Sequence, residues 1–151
     1  MSRNVRVLRC SPEDVFEVLA DGWMYPGWVV GASRMRTVDD EWPAVDSALH
    51  HSFGVWPLLI DDTTVVEQYS PPERMVVRAH GWPVGVARVT IDVKPRGDAT
   101  VVRIQEEPVA GPGLFIPKVV LEPLLHWRNT ETLHRLAYLA EGRATGRTGA
   151  T

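Results

Sequence analysis

Hydrophobic and polar positions change their period several times along the chain. "VRVLRC" alternates Val5 and Val7 against Arg6 and ends on Leu8, which predicts a half-buried first strand. "SPEDVFEVLAD" then switches to helical spacing. Ser11 is placed to cap, Pro12 fits the first helical position, and Asp14 stands where a capping box needs its acceptor. Val15, Phe16 and Leu19 form the apolar face, and Gly22 ends the helix. Pro26 and Gly27 leave room for only a turn or two more before the next strand.

From about residue 29 to 109 the period is two. The strands read as "ASRMRTV", "SALHHSFGVW", "TTVVEQY", "RMVVRAHGW", "VARVTIDV" and "TVVRIQEE", with "PLLIDD" following the second. Loops or turns at "DDEWPAVD", "SPPE" and "KPRGDA" separate them, and short strands so spaced predict an antiparallel meander. In "VARVTIDV", Ala87, Val89, Ile91 and Val93 share one face, opposite Arg88, Thr90 and Asp92. Its partner sets Thr100, Val102, Ile104 and Glu106 together on the inner face, away from Arg103 and Gln105.

"EPVAGPGLFIP" is a loop by its prolines and glycines. Beyond it, Leu121, Leu125, Asn129, Leu133, Leu136 and Ala140 recur at helical intervals. Pro123 means that this helix either starts there or begins near Pro117 and kinks. The tail "GRATGRTGAT" carries no apolar anchor and is expected to be flexible. The organisation is one domain over residues 1–141 and a tail over 142–151. A one-sided antiparallel sheet must cover its apolar face, and only one long amphipathic helix is available to do so. The fold class is therefore α+β: a curved sheet of about seven strands wrapped around a long C-terminal helix, with two short helices after the first strand.

Bulk properties narrow the function classes. At 151 residues the chain suits one domain with a sizeable core. Its net charge of −3 and lack of a long basic run disfavour nucleic-acid binding. The single cysteine, Cys10, allows no internal disulfide and suggests a reducing compartment, where it is a small strand residue. No apolar run is long enough to span a membrane stably, and the N-terminus alternates instead of showing a signal peptide's apolar block, so the cytoplasm is expected. The oligomeric state stays open, a homodimer included.

Taken in order, "SPEDVFEVLAD" with "GWVVGASRM", "VVEQYSPPERMVVRA", and "IQEEPVAGPG" before "RNTETLHRLAYLAE" resemble the START-like, or SRPBCC, superfamily and its polyketide cyclase/dehydrase and lipid-transport proteins. The resemblance covers nearly the whole chain except the tail. It implies the helix-grip fold and a deep, largely apolar cavity that binds a hydrophobic small molecule. Related proteins include carriers and aromatase/cyclases, so the resemblance leaves binder and enzyme both open.

Candidate residues each have a functional and a purely structural role. Trp28, at the junction of short helix and sheet, is a cavity-wall candidate or a plug between the two. Trp23 and Tyr25 can border a cavity entrance or close the core under a loop. Glu106 is the inward carboxylate. Left unpaired there it is costly and its pKa would rise, which suits a proton donor or base; equally it can accept bonds from the loop or the helix. His80 with Trp82, where the strand bends at Gly81, can line the cavity or lie at the surface near a turn. His50 and His51 point to opposite faces, and His134 is expected to be exposed. Asn129 is the inward member of the Arg128–Asn129 pair, able to bind a ligand or to hold Glu106. Arg36, Arg78 and Arg103 are expected to face water. Leu125, on the inward stripe, completes the ligand-binding set of Trp28, Tyr25, Trp82, Asn129 and Leu125; Glu106 and His80 are the catalytic candidates. No nucleophile elbow, phosphate loop, dinucleotide fingerprint or metal-ligand spacing is present, and no cofactor is called for.

Overall fold

The computed structural model describes residues 2–30, 32–55, 58–81 and 85–149. Seven strands form one sheet: β1 (Ser2–Leu8), β2 (Ala32–Val38), β3 (Ala48–Val55), β4 (Leu58–Ser70), β5 (Arg74–Gly81), β6 (Gly85–Arg96) and β7 (Ala99–Ala110). Every pairing is antiparallel, in the order β1-β7-β6-β5-β4-β3-β2. A meander from β2 to β7 thus receives the first strand beside the last. Helix α1 (Pro12–Ala20), a 3₁₀ turn (Gly22–Met24) and α2 (Tyr25–Trp28) connect β1 to β2. A second 3₁₀ turn (Pro112–Leu114) leads into α3 (Lys118–Gly149), which packs against β1, α1 and α2. This is a helix-grip-like fold, an open curved sheet closed over by its long C-terminal helix.

Local sequence explains how the elements begin. Ser11 Oγ accepts from the Asp14 amide at 3.2 Å, and Asp14 Oδ2 accepts from the Ser11 amide at 3.0 Å, closing the capping box. α1 then buries Val15, Phe16, Val18 and Leu19. At Gly22 a Cβ would stand 2.5 Å from Leu49 Cδ2, so the glycine permits the close approach of this turn to β3. The register Val89↔Glu106, Ile91↔Ile104 and Val93↔Val102 puts the apolar positions of β6 and β7 side by side on the inner face. Opposite them, Leu121, Leu125, Asn129, Leu133, Leu136 and Ala140 of α3 are all buried. Each fully buried leucine there contributes about 1.5–3 kcal/mol.

Two points left open by the sequence are decided, and two local expectations are revised. "PLLIDD", given no element by its sequence, is from Leu58 onward the first part of β4, because the ladder Val55↔Leu58 to His51↔Asp62 continues the hairpin and satisfies the backbone there. On β1 the inward residues are Asn4 and Leu8, while Val5 and Val7 are 57 % and 49 % exposed on the outer face. The helix decides that orientation, since Asn4 Nδ2 donates to the His126 carbonyl at 3.0 Å and to Thr130 Oγ1 at 2.8 Å. α3 begins just after Pro117, whose carbonyl accepts from the Leu121 amide, so Pro123 lies inside the helix and withholds a donor from Val119. Finally, α3 continues to Gly149 through the stretch expected to be a tail. Arg143 reaches Asp21 at 3.5 Å and Glu17 at 3.8 Å, and Ala144 packs against the core. Among the described residues, no helix is long and apolar enough to cross a membrane.

Candidate functional site

One face of α3 cannot fill the whole concave side of the sheet, and a cavity remains between them. Its floor is aliphatic: Val77 and Ala79 of β5, Ala87, Val89 and Ile91 of β6, and Ile104 of β7. The polar groups are Glu106, at the end of the inner row of β7, and, on the facing wall, Tyr25 and Trp28 of α2 and Arg128, Asn129 and Thr132 of α3. The cavity has a volume of about 50 Å³. At one rim, Gly85 has φ +87° and stands so close to the next strand that a Cβ would meet the Ala110 carbonyl oxygen at 2.8 Å.

Glu106 is buried but not alone. Arg128 Nη2 donates to one carboxylate oxygen, and Asn129 Nδ2 donates to the other at 2.9 Å. Consecutive residues of α3 therefore both reach the strand, and the inner face carries a neutralised ion pair in place of an unpaired charge. The expectation that Asn129 alone points inward is revised, since Arg128 lines the same cavity. The missed signal is legible: from Leu125 the helical period passes through 128 and 132 as well as 129, and Thr132 is buried too.

The aromatic stretch has two functions. Trp23 is 61 % exposed and does not line the cavity. Tyr25 and Trp28 are buried, packed edge-on with ring centroids 5.4 Å apart, and both line it. The Tyr25 hydroxyl shares a hydrogen bond with Thr64 Oγ1 at 3.0 Å, and Thr64 shares another with His51 Nε2 at 2.9 Å. His51 also lies against the Tyr25 ring, with centroids 5.2 Å apart. Burial pushes the Tyr25 hydroxyl up to about 12 and holds His51 down to about 4, with Arg36 and the neighbouring histidines adding to the latter. This buried relay was not anticipated from sequence, because it joins α2 to β3 and β4. Trp28 Nε1 is a buried donor with no hydrogen-bond partner among the described residues.

The remaining candidates are distributed differently. Leu125 is buried with Leu121 and Ala87 in a small separate cluster and does not line the cavity. Trp82 lies outside the described residues. His80 borders the cavity, but its Nδ1 lies 2.8 Å from the Thr63 carbonyl and 3.7 Å from Asp62. A carbonyl only accepts, so Nδ1 carries the proton and Nε2 is the basic nitrogen of the neutral ring. Arg103 and Arg74 bind Asp92 on the outer face, where they outweigh its desolvation and lower its pKa. Arg78 and Arg88 share Glu67, and Arg88 also reaches Glu107 at 3.6 Å. Arg36 donates to the His51 and Asp62 carbonyls. His50 meets Asp39, and His134 is exposed.

Similarity to known proteins agrees with this architecture. The family model for polyketide cyclase / dehydrase and lipid transport matches residues 2–141. No curated protein matches this chain in sequence. Among solved structures, protein NE0264 from Nitrosomonas europaea is similar with a TM-score of 0.71 at 16% identity, covering 93% of this chain and 94% of that one. Protein CV1439 from Chromobacterium violaceum has a TM-score of 0.66 at 20% identity, covering 91% and 94%. The di-domain ARO/CYC StfQ from the steffimycin biosynthetic pathway has a TM-score of 0.71 at 11% identity, with 95% of this chain aligned to 51% of that one. At such identities the structures show a shared fold, while the family match extends over almost the whole sequence: the chain belongs to the polyketide cyclase/dehydrase and lipid-transport family.

Proposed function

We propose that this protein binds a hydrophobic small molecule in the space between the sheet and α3. The observation that carries this reading is the cavity itself, with a continuous aliphatic floor facing a wall of few polar groups. Apolar area withdrawn from water supplies affinity, and a small number of placed polar atoms orients the ligand. Tyr25, Trp28 and Asn129 are the ligand contacts on that wall.

A second reading is a polyketide cyclase/dehydratase-like enzyme acting on an aromatic polyketide. It is favoured by a carboxylate, Glu106, held at the cavity wall by Asn129 and Arg128. Such a group can take a proton from an enolising carbon and return it, while the cavity holds that carbon against a carbonyl and excludes water.

Native mass spectrometry of the purified protein, followed by calorimetric titration with naphthols, aromatic ketones and fatty acids, tests both. Saturable one-site binding that is lost when Val89→Phe fills the floor is the expected result. Absence of any bound mass and of saturation across the panel would overturn the binding reading. Turnover of a poly-β-ketone thioester that drops about 100-fold or more in Glu106→Gln, with binding retained, would establish the enzyme.

A further inference from the structure

We propose that the outward side of the first three turns of α3, with the turn that leads into it, is the face on which a second copy of this chain docks, helix against helix about a two-fold axis. This stands apart from what the cavity binds, and its failure would leave the binding reading untouched.

The face exists because this end of the helix has two apolar sides. Between Lys118 and Trp127, Leu121 and Leu125 look inward and are buried. Val119, Val120, Leu124 and Trp127 recur at helical intervals on the other side, with Pro123 among them. Leu114 and Phe115, at the end of the preceding 3₁₀ turn, are exposed as well. The exposure of these six large side chains runs from 42 % at Leu124 to 87 % at Phe115. Beyond Trp127 the same side of α3 turns polar, with Thr130, Glu131 and His134. The apolar stripe is therefore confined to one end of the helix.

Single exposed apolar residues are ordinary, whereas a contiguous stripe of them is not. At these fractions, side chains of this size present on the order of 800 Å². That exceeds the roughly 300–600 Å² of the largest apolar patch on a typical monomer. It matches the roughly 800 Å² that each partner gives to a stable interface of standard size.

Charge selects the occupant. Beside the stripe the signs alternate: Lys118, then Glu122, then Glu131 bound to Arg135. An anionic bilayer surface calls for a cluster of lysines and arginines, which the stripe lacks in a chain of net charge −3. A mixed rim does not repel its own copy. In antiparallel pairing the Lys118 end of one stripe lies beside the Glu131 end of the other. A two-fold arrangement uses the same patch twice, so one stripe per chain is sufficient. Helices crossing at Pro123, the middle of the stripe, set Trp127 of each copy over Val119 and Val120 of the other.

Sedimentation velocity of the full chain, from about 1 to 100 μM, tests the docking. The expected result is a reversible dimer of twice the 16.9 kDa chain mass. Val119→Glu and Trp127→Glu, each made alone, should raise the dissociation constant at least about 30-fold, the loss that one interface hot spot supplies. Both side chains are exposed in the single chain, so circular dichroism should show the fold retained. Val5→Glu, on the outer face of the sheet, should leave the dimer intact. Pro123→Cys should cross-link to its own copy under mild oxidation and Val5→Cys should not, while the buried Cys10 contributes to neither. Should the glutamate variants not fold, the cross-link decides. A monomer at every concentration, a dimer that survives both glutamate variants, or a dimer in which Pro123→Cys does not cross-link would overturn the proposal. So would a monomer that co-sediments with phosphatidylcholine vesicles and is released from them by Trp127→Glu, which would give the same face to a bilayer.

Discussion

Glu106 on β7 and Arg128 on α3 meet across the gap between sheet and helix, with a second bond to the same carboxylate from Asn129. The side chains are 3 % and 18 % exposed, so the pair works in a largely dry environment and ties the helix to the strand where the cavity would otherwise separate them.

Breaking that pair from one side leaves a buried charge. Arg128→Met alone is expected to destabilise the protein by about 3–5 kcal/mol in urea unfolding. Glu106→Gln in the Arg128→Met background should restore much of that loss, because the stranded carboxylate is then gone. Additive effects in the double variant would show that the two side chains are not energetically coupled.

His51 makes stability depend on acidity. The buried ring is held neutral down to about pH 4, whereas an exposed histidine protonates near 6.5. The unfolded chain therefore takes up a proton that the folded chain refuses. This contribution is complete above about pH 6.5 and is lost as the pH falls toward 4, at no more than about 1.4 kcal/mol per pH unit. Melting temperatures of His51→Gln should fall less steeply through that window than those of the unaltered protein. Parallel profiles would contradict the assignment.

Gly85 and Gly97 both have positive φ, at +87° and +60°, but only Gly85 is crowded. Gly97→Ala meets nothing within 4 Å and should cost only the conformational strain, about 1 kcal/mol. Gly85→Ala adds a clash with the Ala110 carbonyl and is expected to cost at least about 1 kcal/mol more, with reduced ligand binding at the adjoining rim. Thermal melts of the two variants side by side measure the difference.

Leu125 separates stability from binding. It is 1 % exposed and packs with Leu121 behind Ala87, without lining the cavity itself. Leu125→Ala should lower unfolding stability by about 2–5 kcal/mol. Affinity for a ligand bound below the melting temperature should change less than about twofold. A selective loss of affinity would place Leu125 in the binding wall instead.

Much of this architecture is legible in local pattern. The capping box at Ser11, the inner row from Thr100 to Glu106, and the buried stripe from Leu121 to Ala140 follow from periods of two and 3.6 that each element's own neighbours enforce. β1 escaped the same logic, because at a sheet edge the partner helix chose which face to cover, and Asn4 supplied bonds to α3 that the outward Val5 and Val7 could not. "PLLIDD" escaped it because ladder pairing with β3 outweighed its mixed polarity.

Sequence alone determined that a one-sided meander and a single long helix must bury each other, and that a carboxylate would stand on the inner face, since both depend on periodicity along one segment. It could not determine what that carboxylate meets. The ion pair of Glu106 with Arg128 and the relay from Tyr25 through Thr64 to His51 each join residues from different elements. Their positions depend on crossing angles and strand register that side-chain volumes settle only when the whole core packs at once.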